Sequence, residues 1–190
     1  MVIARLSAEE TARIRAELVK VYREAWSTTK YALTRHQIRD FASVFDMHLG
    51  RDDFRAVTAR DDPDGPMLGF AYGYTSAPGG WWRETVIDGL PKEATEVWFA
   101  DSYEFVELAV IESARGRGLG GALHDALLEG IERKTSVLST QCGNAAALAL
   151  YRARGWTTIS GDFRFPNRPY PYAVMGLVLN DRGRLRSSRE

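Results

Sequence analysis

The residues best placed to do chemistry are the glycines of Gly116-Arg117-Gly118-Leu119-Gly120-Gly121, which stand between an apolar run and a stretch with helical spacing. N–H groups at the start of a helix carry partial positive charge, and each missing Cβ lets an anion come closer, so this turn suits a phosphate. Two carboxylates, Glu104 and Glu107, interrupt the apolar run just before it. An acid in such a run is costly unless it is paired or functional, and a functional one can take a proton from a substrate. A phenol, Tyr151, lies further on, near the end of a helix that Asn144 is suited to cap. An anion cradle, candidate bases and a candidate acid are thus present.

The elements that must position these groups read as strand, turn and helix. Residues 103–110 are aromatic, β-branched and aliphatic apart from the two acids, as a buried strand requires. Ala122, Leu123, Ala126, Leu127 and Ile131 then repeat at helical spacing, and the helix is expected to run to about Arg133. Gly116-x-Gly118-x-x-Gly121 also satisfies a dinucleotide fingerprint, but Ile111 to Arg115 separate the strand from the first glycine. The acid expected roughly 20 residues later, at the end of the next strand, is missing too. No Gly-Lys-Ser/Thr follows, which excludes a Walker loop.

Residue for residue, Arg115-Gly116-Arg117-Gly118-Leu119-Gly120 resembles the acyl-CoA loop of the GNAT superfamily of N-acetyltransferases, Gln/Arg-x-x-Gly-x-Gly/Ala. A second signature of that superfamily is an Asn followed by a helix ending Leu-Tyr-x-x-x-Gly-aromatic. It is matched by Asn144 through Leu150-Tyr151 to Gly155-Trp156. The pair, in this order, is more specific than either alone. One departure is Glu112, where the family often has proline.

The resemblance implies an α+β fold, with a mixed, mostly antiparallel central sheet of about seven strands flanked by about four helices. It implies an acetyl-CoA-dependent N-acetyltransferase that works by direct attack of an amine through a tetrahedral intermediate. Acetyl-CoA is the expected cosubstrate. Its binding residues would be Leu108, Ala109, Val110, Arg115, Gly116, Arg117, Gly118, Leu119, Gly120, Gly121 and Asn144. Backbone N–H groups of the strand at Leu108 to Val110 would polarise the acyl carbonyl, and Arg115 and Arg117 could pair with phosphates. Glu104 falls where several members supply a base, and Glu107 where others place an acid that contacts the substrate amine; three residues apart they point to opposite faces of a strand, so one of them is the base, and Glu104 is the first choice. Tyr151 falls where the family has the acid that protonates the sulfur. An alkylamine with a pKa of about 10.4 is mostly protonated at neutral pH, so a base has a task to perform. A salt bridge for either acid, solvent as the base, and an ordinary core role for Tyr151 are the competing readings.

At 190 residues and 45% hydrophobic composition the chain suits one domain, expected over residues 1–180. Residues 181–190 carry four arginines and few apolar groups and read as a basic flexible tail. Lysine plus arginine balances aspartate plus glutamate at 25 each, so no overall field favours nucleic acid or an anionic membrane. A single cysteine, Cys142, leaves no internal disulfide. No signal peptide or apolar run of about 18 residues stands out, which points to the cytoplasm. His36, His48 and His124 lack metal-ligand spacing, and no metal is expected.

Elsewhere the chain alternates helix and strand signals. Ser7 to Glu10 has the form of a capping box, followed by an apolar stripe of Ile14, Leu18, Val21, Tyr22 and Ala25. Thr34 to Gln37 repeats the capping pattern before Ile38, Phe41, Ala42, Phe45 and Leu49, and the segment between these helices could border a substrate cleft. A hairpin is expected at residues 54–74, a short helix at about 82–90, and strands at 136–140, 156–160 and 173–179. The loops at 76–101 and 164–172 hold Trp81, Trp82, Trp98, Phe99, Phe165, Tyr170 and Tyr172. Lining a cleft, they would favour a small, partly hydrophobic primary amine as acceptor. A satellite core or a homodimer interface is the alternative for these rings. A non-catalytic acyl-CoA sensor, or an acetyltransferase acting on protein or peptide, is the alternative for the whole chain.

Overall fold

The structure, a computed structural model, describes residues 1–27 and 35–179. The chain begins with β1 (Val2–Leu6), α1 (Ala8–Arg13), α2 (Arg15–Ser27), α3 (Arg35–Leu49), β2 (Arg55–Arg60) and β3 (Met67–Thr75). It continues through α4 (Trp81–Asp88), α5 (Lys92–Trp98), β4 (Ser102–Val110), a 3-10 turn (Glu112–Ala114) and α6 (Leu119–Leu128). It ends with β5 (Thr135–Gln141), α7 (Ala145–Arg152), β6 (Thr157–Phe163) and β7 (Tyr172–Val178). The strands form one seven-stranded sheet in the order β1-β2-β3-β4-β5-β7-β6. Its β1/β2, β2/β3, β5/β7 and β6/β7 pairs are antiparallel, and β4/β5 is parallel. The mixed, mostly antiparallel α+β sheet is therefore the one expected.

Helices are more numerous than the sequence suggested. Ser7 makes the capping box, accepting from the Glu10 N–H at 3.3 Å while its own N–H donates to the Glu10 carboxylate at 2.8 Å. The helix it starts is interrupted at Ile14, so one apolar stripe is shared by α1 and α2. Thr11 donates its hydroxyl to the Ser7 carbonyl at 2.6 Å, a side-chain bond to the preceding turn of the kind that bends helices. The helix expected near residues 82–90 is α4, and α5 follows at once, started by Pro91. α6 stops at Leu128 rather than near Arg133, because Glu129 turns extended and Gly130 takes φ 70°. The capping pattern at Thr34, the segment between α2 and α3 and the tail at 181–190 lie outside the described residues.

The chain divides into two compact units. The first comprises Met1–Tyr74 and Val106–Glu129. Its core is aromatic: Tyr22 of α2 stacks on Phe41 of α3 with centroids 3.6 Å apart, and Phe45 meets Tyr72 of β3 edge-on at 5.2 Å. Alternation along β3 aims Phe70, Tyr72 and Tyr74 to this face. Gly69 points the other way, where a Cβ would lie 2.7 Å from the Ala109 carbonyl oxygen. The second unit comprises Thr75–Phe105 and Gly130–Glu190. Val86 and Phe99 from the helical segment, Val137 of β5, Val174 of β7, and Phe163 and Phe165 form its core. No helix among the described residues is long and apolar enough to cross a membrane.

Candidate active site

In the first unit β4 leads through the 3-10 turn into the glycine loop, and two residues there turn left-handed: Gly116 at φ 75° and Gly118 at φ 82°. Side chains with a Cβ rarely adopt these angles, so the turn selects glycine. Gly118 is the N-cap of α6 and its carbonyl accepts the Ala122 N–H at 3.1 Å. The N–H groups of Leu119, Gly120 and Gly121 thus precede the first intrahelical bond and have no partner within the helix. A Cβ added at Gly116 or Gly118 would meet nothing within 4 Å. The loop therefore offers backbone donors, the positive end of a helix and open space, which fits a pyrophosphate.

The two loop arginines are engaged elsewhere. Arg115 donates through Nε to the Val110 carbonyl at 3.2 Å and through its terminal nitrogen to the Ala25 carbonyl at 2.6 Å. Arg117 pairs with Asp61 of the β2–β3 turn, and this hydrogen bond holds the Asp61 carboxyl below its usual range. The anion donors of the cradle are accordingly main-chain groups.

Glu107 lies on β4 in the same unit. Part of its surface is accessible, yet packing of its carboxyl by protein pushes its pKa up to about 7. The Leu108 N–H, donating at 3.1 Å, and the Trp26 indole of α2 oppose that shift without cancelling it. Near it stands Tyr72, whose phenol burial and the nearby Glu107 keep protonated, with Tyr74 and Tyr22 also acting on Tyr72. His48 of α3 shares a hydrogen bond with the Tyr72 hydroxyl at 3.0 Å, and burial and Arg51 push its pKa down to about 4. Sequence reading gave Tyr22, Trp26, His48 and Tyr72 no part in the site. Alternation in β3 could have shown that Tyr72 shares a face with the core, but nothing local marks it as a neighbour of Glu107.

The remaining site candidates belong to the second unit. Glu104 is 5% exposed and accepts a hydrogen bond from the Ser76 hydroxyl at 2.8 Å, with Ser76 itself buried. The β4/β5 ladder runs from Ser102↔Thr135 to Glu104↔Val137. Asn144 is the N-cap of α7, its side chain accepting the Ala147 N–H at 3.2 Å. Tyr151 lies in the last turn of that helix, 8% exposed, with its ring against Phe105 (5.9 Å between centroids) and Trp156 (5.5 Å). Its carbonyl accepts from Arg154 and Trp156, and Gly155 at φ 86° makes the turn that allows this. The tyrosine is thus fixed at both backbone and ring.

The aromatic loops are mostly core. Phe99 and Phe165 are buried, and Trp82, Trp98 and Tyr172 pack against them, with the Trp82 indole donating to Ser139 at 2.9 Å. Only Trp81 and Tyr170 of the set are exposed. These rings form a satellite core rather than the lining of a cleft. Among the described residues no group of three His, Cys, Asp or Glu is arranged to hold a metal.

Residues 12–156 match the acetyltransferase (GNAT) family. The chain belongs to that family. It is 38% identical over 130 residues to the GCN5-like protein acetyltransferase Rv2170 of Mycobacterium tuberculosis, a match covering 64% of this chain and 63% of the relative. It thus spans less than two thirds of that relative's length. Among solved structures, a phosphinothricin acetyltransferase from Sinorhizobium meliloti in complex with AcCoA is similar at TM-score 0.63 and 19% identity, over 94% of this chain and 88% of that one. The ribosomal-protein-S18-alanine N-acetyltransferase of Escherichia coli is similar at TM-score 0.59 and 18% identity, over 94% and 93%. At such identities these two likenesses speak for the fold.

Proposed function

We propose that this protein transfers the acetyl group of acetyl-CoA to a primary amine, with Glu107 as the base and Tyr151 as the acid. The observation that carries the reading is a carboxyl with a pKa of about 7 on the strand that leads directly into the glycine cradle. Bound acetyl-CoA would supply a thioester carbonyl for attack and a thiolate as leaving group. The N–H groups of Leu119, Gly120 and Gly121 hold its pyrophosphate, and the main chain of Leu108, Ala109 and Val110 lies along its acyl arm. Glu107 takes a proton from the incoming ammonium, so that the nitrogen lone pair can form the C–N bond. A pKa near the working pH balances the ionised fraction of the base against its strength. Backbone N–H groups of β4 stabilise the charge that develops on the acyl oxygen. As the tetrahedral intermediate collapses and the C–S bond breaks, Tyr151 gives its proton to the departing sulfur, and the second proton lost by the new C–N nitrogen restores the phenol; Asn144 keeps the helix that carries Tyr151 in place. Glu104, buried and bonded to Ser76, serves better as a structural acid than as the base.

For the acceptor, the rings of Trp26 and Tyr72 that act with Glu107 favour a small, partly hydrophobic amine. The name of the mycobacterial relative favours a second reading, a lysine of a protein. Thiol release from acetyl-CoA across arylalkylamines, polyamines and lysine peptides separates them. Turnover of an arylalkylamine at 100-fold or more over the peptides supports the first reading, and the reverse order supports the second. Glu107→Gln should lower the rate by about 10²-fold at pH 7 and be partly rescued at high pH, where the amine deprotonates itself. If Glu104→Gln behaves so and Glu107→Gln does not, the base is reassigned. Acetyl-CoA binding without release for any amine would mean a sensor.

A further inference from the structure

We propose that Asp61 is a positioning residue for the cofactor loop: through Arg117 it braces the turn at residues 116–118 in the shape that presents the α6 donors. The inference deepens the acetyl-CoA reading and rests on it. Every contact it uses lies within the first unit. Arg117 donates through a terminal guanidinium nitrogen to the carboxylate of Asp61, 56 positions away in the chain.

The composition of the loop explains why it needs a brace. On its flanks Ala114 and Leu119 are buried, and Arg115 is bonded to the carbonyls of Val110 and Ala25. Between them Gly116, Arg117 and Gly118 are exposed, and a Cβ added at either glycine would meet nothing within 4 Å. Packing therefore does not hold these glycines in their left-handed angles, and glycine loses more freedom on being ordered than any other residue. The side chain of Arg117 gives the middle of the stretch a fixed point. A loop ordered before its ligand arrives binds that ligand at a smaller entropic cost.

The other end of the tie is anchored. Asp61 opens the β2–β3 turn directly after Arg60, the last residue of β2. Arg60 pairs with Glu17 of α2, its Nη1 donating at 2.8 Å, and the same nitrogen donates to the Gly65 carbonyl across the turn. Glu17 also accepts the N–H of Met67, the first residue of β3, at 3.0 Å. Within the turn the Asp62 carbonyl accepts the Gly65 N–H at 3.0 Å, and its carboxylate accepts the Asp64 N–H at 3.1 Å. The side chains of Arg60 and Glu17 are 19% and 33% exposed against 45% and 57% for Arg117 and Asp61, so the root of the turn is the better shielded pair. An exposed ion pair between two free side chains orders little, whereas a carboxylate on a fixed turn can order its partner. Turning Arg117 toward a phosphate would break this bond and leave the Asp61 charge unpaired beside the loop.

The test reads loop order in the free full-length protein and acetyl-CoA affinity separately. Asp61→Ala, Arg117→Met and the double variant are compared with wild type. The double variant keeps the wild-type net charge, so a loss in it reports the tie and not the charge. A pair this exposed adds little to global stability, and the variants should fold. The 15N order parameters of Gly116 and Gly118 should drop from the rigid range of about 0.85 to about 0.6 in all three. Acetyl-CoA affinity by calorimetry should fall about 3–10-fold in each, with the double variant no weaker than the weaker single one, as expected for two halves of one tie. Asp61→Asn keeps an acceptor oxygen and should fall between wild type and Asp61→Ala, and it decides the matter if Asp61→Ala does not fold. Unchanged order parameters in a folded Asp61 variant overturn the proposal. So does tighter acetyl-CoA binding by Asp61→Ala beside a loss of about tenfold or more in Arg117→Met, which would make Arg117 a phosphate ligand that Asp61 holds back. A wild type that binds no acetyl-CoA would instead sink the cosubstrate, while the order parameters of the free protein still decide on the brace.

Discussion

Glu107 and His48 titrate in opposite senses across the same pH window. Glu107 has a folded pKa of about 7 against an ordinary 4.5, so the folded state holds its proton longer, and stability falls as pH rises through that range. His48 has a folded pKa of about 4 against 6.5, so the unfolded state binds the extra proton, and stability falls as pH drops from 6.5 to 4. The two slopes largely cancel. Glu107→Gln should therefore leave a protein that is stabilised above pH 7, by up to about 3 kcal/mol, and that loses stability steadily on acidification. His48→Gln should show the reverse slope. Thermal melts of both variants from pH 4 to 8 check this, and two flat curves would show that neither group is perturbed. Tyr151→Phe removes one oxygen from a ring packed on Phe105 and Trp156, and should cut turnover about 10–100-fold while sparing acetyl-CoA affinity. Equal losses in both would assign the ring a packing role.

At the scale of elements, the loop between β4 and α6 and the packing of α5 on β7 respond differently to the same kind of change. Gly118→Val forces a β-branched residue to φ 82° in front of the α6 donors, and should abolish acetyl-CoA binding at a stability cost of about 1–2 kcal/mol. Gly176 in β7 is different: a Cβ there would fall 2.3 Å from the Trp98 ring. Gly176→Ala should destabilise by about 1–3 kcal/mol in urea unfolding, with acetyl-CoA affinity unchanged in the folded fraction. Loss of acetyl-CoA binding in Gly176→Ala, or its retention in Gly118→Val, would contradict this division. The glycine loop was readable because consecutive glycines before a helix have one economical use. α5 escaped notice because its seven residues carry no apolar stripe, and only Pro91 marks its start.

For the whole molecule, a ligand that binds the folded state alone raises its stability by mass action. Acetyl-CoA at 100 times its dissociation constant should add about 2.7 kcal/mol, a rise in Tm of about 5–10 °C for a chain of this size. Coenzyme A should give a smaller rise, and Gly118→Val none. An unshifted Tm for wild type at saturating acetyl-CoA would remove the cosubstrate from the proposed function. Membership of the acetyltransferase family brings this expectation to the chain, while the acceptor is left to experiment: a mycobacterial relative is named for proteins, and a structural neighbour of the same fold for phosphinothricin.

The sequence by itself determined the strands and helices around the glycine loop, the seven-stranded sheet and the family. Those features are written in local order: apolar runs of period two, stripes of period 3.6, and glycines where positive φ is needed. What only the tertiary structure decided is which partner each acid and each loop arginine meets. Glu104 and Glu107 look alike along β4, yet Glu104 meets Ser76 while Glu107 lies against Trp26 and near Tyr72. Arg115 looks like a phosphate ligand until the carbonyl of Ala25, 90 positions away in the chain, arrives to claim it. An ionisation state depends on burial and neighbours brought together from distant segments, and no local pattern of residues encodes that distance.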